Sequence, residues 1–216
     1  MDLVAALFGG RGTGKSTQAM SFLELRRPSR VLIWDTMDEY QAHGRPCATL
    51  TELLRRARSS ESFALRYVPR GTDKELRLRF EAFCAAAYSL EDLVLVVEEL
   101  QRVTTPSWAP PAWSDCTLRG RHKKLIIFGI SQRPASVDKN FFSQASVVSS
   151  GRLVFADDVA CLKNVLGVPG PELLALPDFH YIARDMKTGK ITRGELGRTP
   201  AAKKKLAPAR KPLPSP

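Results

Sequence analysis

Residues 9–16 read Gly9-Gly10-Arg11-Gly12-Thr13-Gly14-Lys15-Ser16, and Thr17 follows. Glycines at this spacing admit backbone angles that a side chain forbids, so successive N–H groups can turn toward one anion. Lys15 adds a mobile positive charge suited to β- and γ-phosphate oxygens, and Ser16 a hydroxyl suited to Mg²⁺. A helix starting at Lys15 would contribute its unpaired N–H groups and the positive end of its dipole. Gly9 to Thr17 is thus the expected cradle for ATP, with Lys15 also catalytic.

The other half of such a site is an acid at the end of a neighbouring strand. The apolar run Leu93 to Val97 leads straight into Glu98 and Glu99. Glu98 is the candidate metal carboxylate, directly or through water, and Glu99 the candidate that orients and polarises the attacking water. Gln132 follows the apolar run Leu125 to Ile130 and Ser131. Its amide can bond to a γ-phosphate or to that water and so register hydrolysis. Asp35 also ends an apolar run, with a structural role as open as a chemical one. Cys47, Cys84, Cys116 and Cys161 lack C-x-x-C spacing, and His43, His122 and His180 lie far apart. They read as reduced intracellular thiols and isolated imidazoles, with no zinc site or disulfide framework.

These side chains need strands and helices at fixed places. Leu3 to Phe8 and Arg30 to Trp34 are short apolar runs of the kind covered on both faces of a parallel sheet. Lys15 to Leu25 between them has helical spacing and is stopped by Pro28. Thr49 with Glu52 resembles a capping box opening another helix. Further strands are expected at 63–68, 93–97, 125–130, 147–149 and 153–155, and further helices at 73–88, 140–144 and 158–166. Arms at 181–184 and 190–193 around a turn at 187–189 predict a hairpin. Thr104 to Trp113 is expected to be a loop, because its prolines remove donors and fix φ. Its tryptophans, Trp108 and Trp113, are read as contacts to a neighbouring subunit or partner in preference to stacking on a nucleic acid strand, since a duplex hides its bases, with packing onto their own domain as the alternative. Strands alternating with helices predict an α/β fold in three layers around a mostly parallel central sheet.

At 216 residues and 44% hydrophobic composition, the chain suits one domain with a substantial core. Six of the +11 net charges lie in residues 198–216, a Pro/Lys-rich stretch without an acid. The expected organisation is therefore a domain over 1–197 and a flexible basic tail over 198–216. The charge favours a polyanionic partner. The apolar start has no basic region before it, as a signal peptide would, and no run reaches the roughly 18–20 apolar residues of a membrane-spanning helix.

Taken together, the motifs resemble the FtsK–HerA superfamily of DNA-pumping P-loop ATPases. The resemblance rests on the Gly9 to Ser16 loop, Trp34-Asp35-Thr36-Met37-Asp38-Glu39-Tyr40, the run ending Glu98-Glu99, Leu118-Arg119-Gly120-Arg121-His122-Lys123, and Ile130-Ser131-Gln132-Arg133-Pro134. Within that superfamily the chain is similar to the small genome-packaging ATPases of tailless, membrane-containing bacteriophages. The resemblance implies a RecA-like fold of the additional-strand type, Glu99 as catalytic glutamate, Gln132 as sensor, and Arg121 as an arginine finger that reaches a neighbour's ATP in a homo-oligomeric ring, hexameric by analogy. Arg119 and Arg133 compete for the finger role, and Glu98 stands where the family usually has Asp. It further implies double-stranded DNA and capsid or packaging-vertex proteins as partners, at the virion vertex and in the host cytoplasm. Arg119, Arg121, Lys123, Lys124 and the basic tail are candidate DNA contacts. Two other readings stay open: a filamentous-phage assembly ATPase similar to zonula occludens toxin, and a scaffold that binds nucleotide, DNA or capsid without pumping.

Overall fold

The strands that carry the candidate site run parallel and end together. The computed structural model describes residues 3–197, so the expected tail at 198–216 lies outside the described residues. The strands are β1 (Leu3–Phe8), β2 (Arg30–Trp34), β3 (Arg45–Cys47), β4 (Phe63–Tyr67), β5 (Val94–Val97), β6 (Ile126–Ser131), β7 (Val147–Ser150), β8 (His180–Asp185) and β9 (Ile191–Glu195). They form one sheet in the order β3-β4-β2-β5-β6-β1-β7-β8-β9. The β7–β8 and β8–β9 pairings are antiparallel, and the other six are parallel. Strand β6 stands between β1, which feeds the glycine-rich loop, and β5, which leads into Glu98 and Glu99.

The helices are α1 (Lys15–Arg26), α2 (Leu50–Arg58), α3 (Asp73–Leu90), α4 (Pro111–Arg119), α5 (Lys139–Gln144), α6 (Ala156–Leu166) and α7 (Gly170–Ala175). Alternate residues of the central strands enter two separate apolar clusters, because side chains along a strand point to opposite faces. Ala5, Leu7, Ile33, Val96 and Ile130 pack with Ala19 and Leu23 of α1. Phe8, Trp34, Leu95 and Ile127 pack with Leu53, Phe80, Trp113, Phe141 and Leu162 from the helices of the other face. The result is the mostly parallel, three-layer α/β architecture that the sequence predicts.

Three local expectations are corrected. Thr104 to Trp113 is not loop throughout: α4 begins at Pro111, at the first helical position, where the missing N–H costs no hydrogen bond. Trp113 is consequently a core residue, with its ring centroid 5.6 Å from that of Phe80 and 5.4 Å from that of Phe141. Residues 153–155 form no strand; the Leu153 amide donates to the Leu173 carbonyl at 2.9 Å and turns the chain toward α6. At Thr49 the return bond from Glu52 goes to the Ala48 amide, whereas Thr72 and Glu75 make the complete capping box at the start of α3.

Candidate active site

Strand register gathers the candidate residues at one edge of the sheet. Phe8 is opposite Ser131, Val97 opposite Gly129, and Trp34 opposite Val97. The residues that follow, Gly9, Gln132, Glu98 and Asp35, therefore leave the sheet on the same side. Gly9, Gly12 and Gly14 have φ of 137°, 79° and 94°, the region that favours glycine, and Gly14 caps α1. A Cβ on Gly9 would lie 2.6 Å from Thr13 Oγ1. Lys15 Nζ and Thr13 Oγ1 donate to the Gly10 carbonyl at 2.8 and 2.9 Å, while the Gly10 amide donates to the Arg152 carbonyl at 2.7 Å. Segment 151–153 after β7 thus braces the loop.

Lys15 is buried among carboxylates. Burial lowers its pKa, and the charges of Glu98, Glu99 and Glu39 oppose that shift. Glu98 is 3% exposed. Its burial pushes its pKa up to about 7, against hydrogen bonds from the Tyr40 and Ser16 hydroxyls that favour the charged form. Tyr40 donates at 2.6 Å. Tyr40 is held in turn by Asp35, whose carboxylate accepts from the amides of Glu39 and Tyr40 at 2.9 and 3.1 Å and pairs with Arg66 at 3.2 Å. Asp35 is fully buried and shapes the loop rather than facing open space.

Glu99 turns the other way. Its φ of 56° is left-handed, unusual without glycine, and places it at the start of the short 3-10 turn Leu100–Arg102. Its carboxylate accepts from Gln132 Nε2 at 2.7 Å and from the Gln101 amide, and Gln101 accepts from the Ser131 hydroxyl at 2.6 Å. Gln101 is a contact that sequence reading missed; its place two residues past the acidic pair was the available signal. Close approach of this turn to β6 needs Gly129, where a Cβ would meet Leu100 Cδ1 at 2.7 Å and Phe141 Cζ at 2.4 Å.

No protein-family model matches the sequence. Over 157 residues the chain is 26% identical to Protein P9 of Pseudoalteromonas phage PM2, a match covering 67% of this chain and 66% of that protein, just under two thirds of its length. Among solved structures it is similar to the genome packaging NTPase B204 of Sulfolobus turreted icosahedral virus 2 in complex with AMPPCP. That likeness has a TM-score of 0.72 at 16% identity and covers 90% of this chain and 97% of that one. VirB4 of Thermoanaerobacter pseudethanolicus is similar at a TM-score of 0.71 and 12% identity, over 92% of this chain and 90% of that one. The chain has the fold of a P-loop NTPase.

A P-loop NTPase of this kind implies a divalent cation, and the residues fit one. The Ser16 hydroxyl and Glu98 carboxylate are oxygen donors in hydrogen-bond contact beside the loop, the donor type Mg²⁺ prefers. Among the described residues no group of three or more His, Cys, Asp or Glu side chains could hold a metal unaided.

Arg121 is not at this edge of the P-loop NTPase fold. It lies in the short turn Gly120–Lys123 that precedes β6, so the six residues of the strand separate it from Gln132, a distance of about 20 Å. It is exposed, with its Nε 3.3 Å from His122 Nε2. Arg119, at the end of α4, pairs with Asp115 at 3.4 Å. Arg133 stands at the loop edge, bonded to buried Asp158 at 2.8 Å and lying 4.2 Å from the centroid of the Phe155 ring. Among the described residues no helix is long and apolar enough to cross a membrane.

Proposed function

We propose that this chain hydrolyses Mg-ATP to translocate double-stranded DNA, as the packaging motor of a viral genome. The observation that carries the reading is the Glu99 carboxylate held by Gln132 and Gln101 next to a lysine-bearing phosphate loop. Lys15 would bind phosphate oxygens, and Ser16 with Glu98 would hold Mg²⁺, which supplies charge neutralisation to the phosphates. Glu99 orients the attacking water and accepts its proton, and Gln132 senses loss of the γ-phosphate through the contact they share.

Arg121 acts in trans on this reading. A side chain about 20 Å from Gln132 would serve a neighbouring subunit's site, and the reading takes the motor as a homo-oligomeric ring, a hexamer by the resemblance. A capsid or vertex protein seats it, and it works at the virion packaging vertex and in the host cytoplasm. The likeness to a packaging NTPase and the net charge of +11 support the DNA partner.

The test measures ATPase rate and sedimentation together, with and without duplex DNA. Stimulation by duplex in the assembled ring is expected. Turnover that ignores DNA rejects pumping, and ATP binding without turnover points to the scaffold.

A further inference from the structure

Trp108 stands on the loop that follows the Glu99 turn and is 44% exposed. Reciprocal backbone bonds with Thr105, at 2.8 and 3.1 Å, tie the loop into a tight turn. The Arg77 guanidinium of α3 lies 5.5 Å from the centroid of the indole ring, a cation–π contact that holds the two together. Lys74, exposed, precedes Arg77 at i, i+3 spacing and so shares its helix face. On the other side the Lys139 amide donates to the Pro106 carbonyl at 3.3 Å, which seats exposed Lys139 beside the same loop.

The nearby carboxylates all have partners within the chain, Glu81 accepting from the Ala112 amide at 3.0 Å. Asp73 pairs with Arg102 at 3.0 Å, Glu75 accepts from the Thr72 amide at 2.8 Å, and Asp138 accepts from the Asn140 amide at 3.2 Å. Lys74, Arg77 and Lys139 make no ion pair among the described residues. The root of the loop is fixed to the catalytic turn, since the amide and the hydroxyl of Thr104 both donate to the Leu100 carbonyl at 2.9 Å.

A guanidinium on the exposed indole, with Lys74 on the same helix face and Lys139 tied by its backbone to the same loop, fits a polymer of phosphates. Lysine and arginine contact phosphates regardless of sequence, and the indole offers an apolar face to the sugars between them. We propose that Lys74, Arg77, Trp108 and Lys139 are the surface on which this chain grips the backbone of duplex DNA. The assignment rests on the DNA-handling reading above.

The experiment uses the full chain and a fluorescein-labelled duplex, with affinity followed against salt concentration. Variants are the pair Lys74→Gln with Lys139→Gln, Trp108→Ala, and a control pair, Lys187→Gln with Lys190→Gln, two exposed lysines in the turn between β8 and β9. The first pair, melting at the parent temperature, should bind about tenfold more weakly, flatten the salt slope by about 2, and lose stimulation by DNA. The control pair should keep the parent slope. Equal losses in both pairs, or an unchanged slope in the first, would overturn the surface. So would Trp108→Ala weakening the oligomer in sedimentation while DNA affinity stays put, which would make this a subunit contact. A parent chain that fails to bind duplex rejects the DNA reading itself, a result distinct from these.

Discussion

Tyr40 donates its hydroxyl to Glu98 Oε1 at 2.6 Å, and both side chains are buried. The contact joins the loop after β2 to the end of β5, and through Asp35 it reaches the Arg66 guanidinium. A carboxylate proposed to hold a metal is thus aimed from behind by a phenol.

Tyr40→Phe removes that donor and little else. A hydrogen bond to a charged group is worth about 1.5–3 kcal/mol, so the Mg²⁺ concentration for half-maximal ATPase should rise about tenfold. Nucleotide binding without metal should persist. An unchanged Mg²⁺ requirement would remove Tyr40 from the positioning of Glu98.

Glu99→Gln keeps the shape of the acid and removes its ability to take a proton. Hydrolysis should fall by about 10²- to 10⁴-fold, while a fluorescent ATP analogue binds as before. Gln132→Ala should give a smaller loss. Turnover by Glu99→Gln at the parent rate would exclude Glu99 as the base.

Arg121→Ala should abolish activity in an assembled ring and leave each subunit's own nucleotide binding intact. Mixing it with Glu99→Gln should restore partial activity, since some interfaces then pair a sound Glu99 with a sound Arg121. Mixtures as inactive as the two parents would place the finger elsewhere.

Trp113→Ala and Trp108→Ala separate the two tryptophans. Loss of the buried ring should cost about 3–5 kcal/mol in denaturant unfolding. The exposed one should cost under about 1 kcal/mol. Similar costs would contradict the start of α4 at Pro111.

Much of this arrangement is legible in the residues themselves. The loop glycines, the acidic pair after an apolar run and Gln132 carry local signals, because their chemistry is fixed by position relative to a strand end. The three come together because register aligns the ends of β1, β5 and β6. Prolines misled at 110 and 111, since the same residue that breaks a helix interior also starts one. The Tyr40–Glu98 contact joins residues 58 positions apart and has no local pattern to announce it. Gly129 looks like a flaw in a strand until Leu100 and Phe141 are placed against it.

The strand β6 has Gln132 beyond one end and the Arg121 turn before the other. Paired with β1 on one side and β5 on the other, it sets the separation between those two points. On the proposed ring, its front end reads the subunit's own nucleotide while its rear end touches the next subunit's. The length of one strand would then set the distance between the two nucleotide sites that a subunit serves.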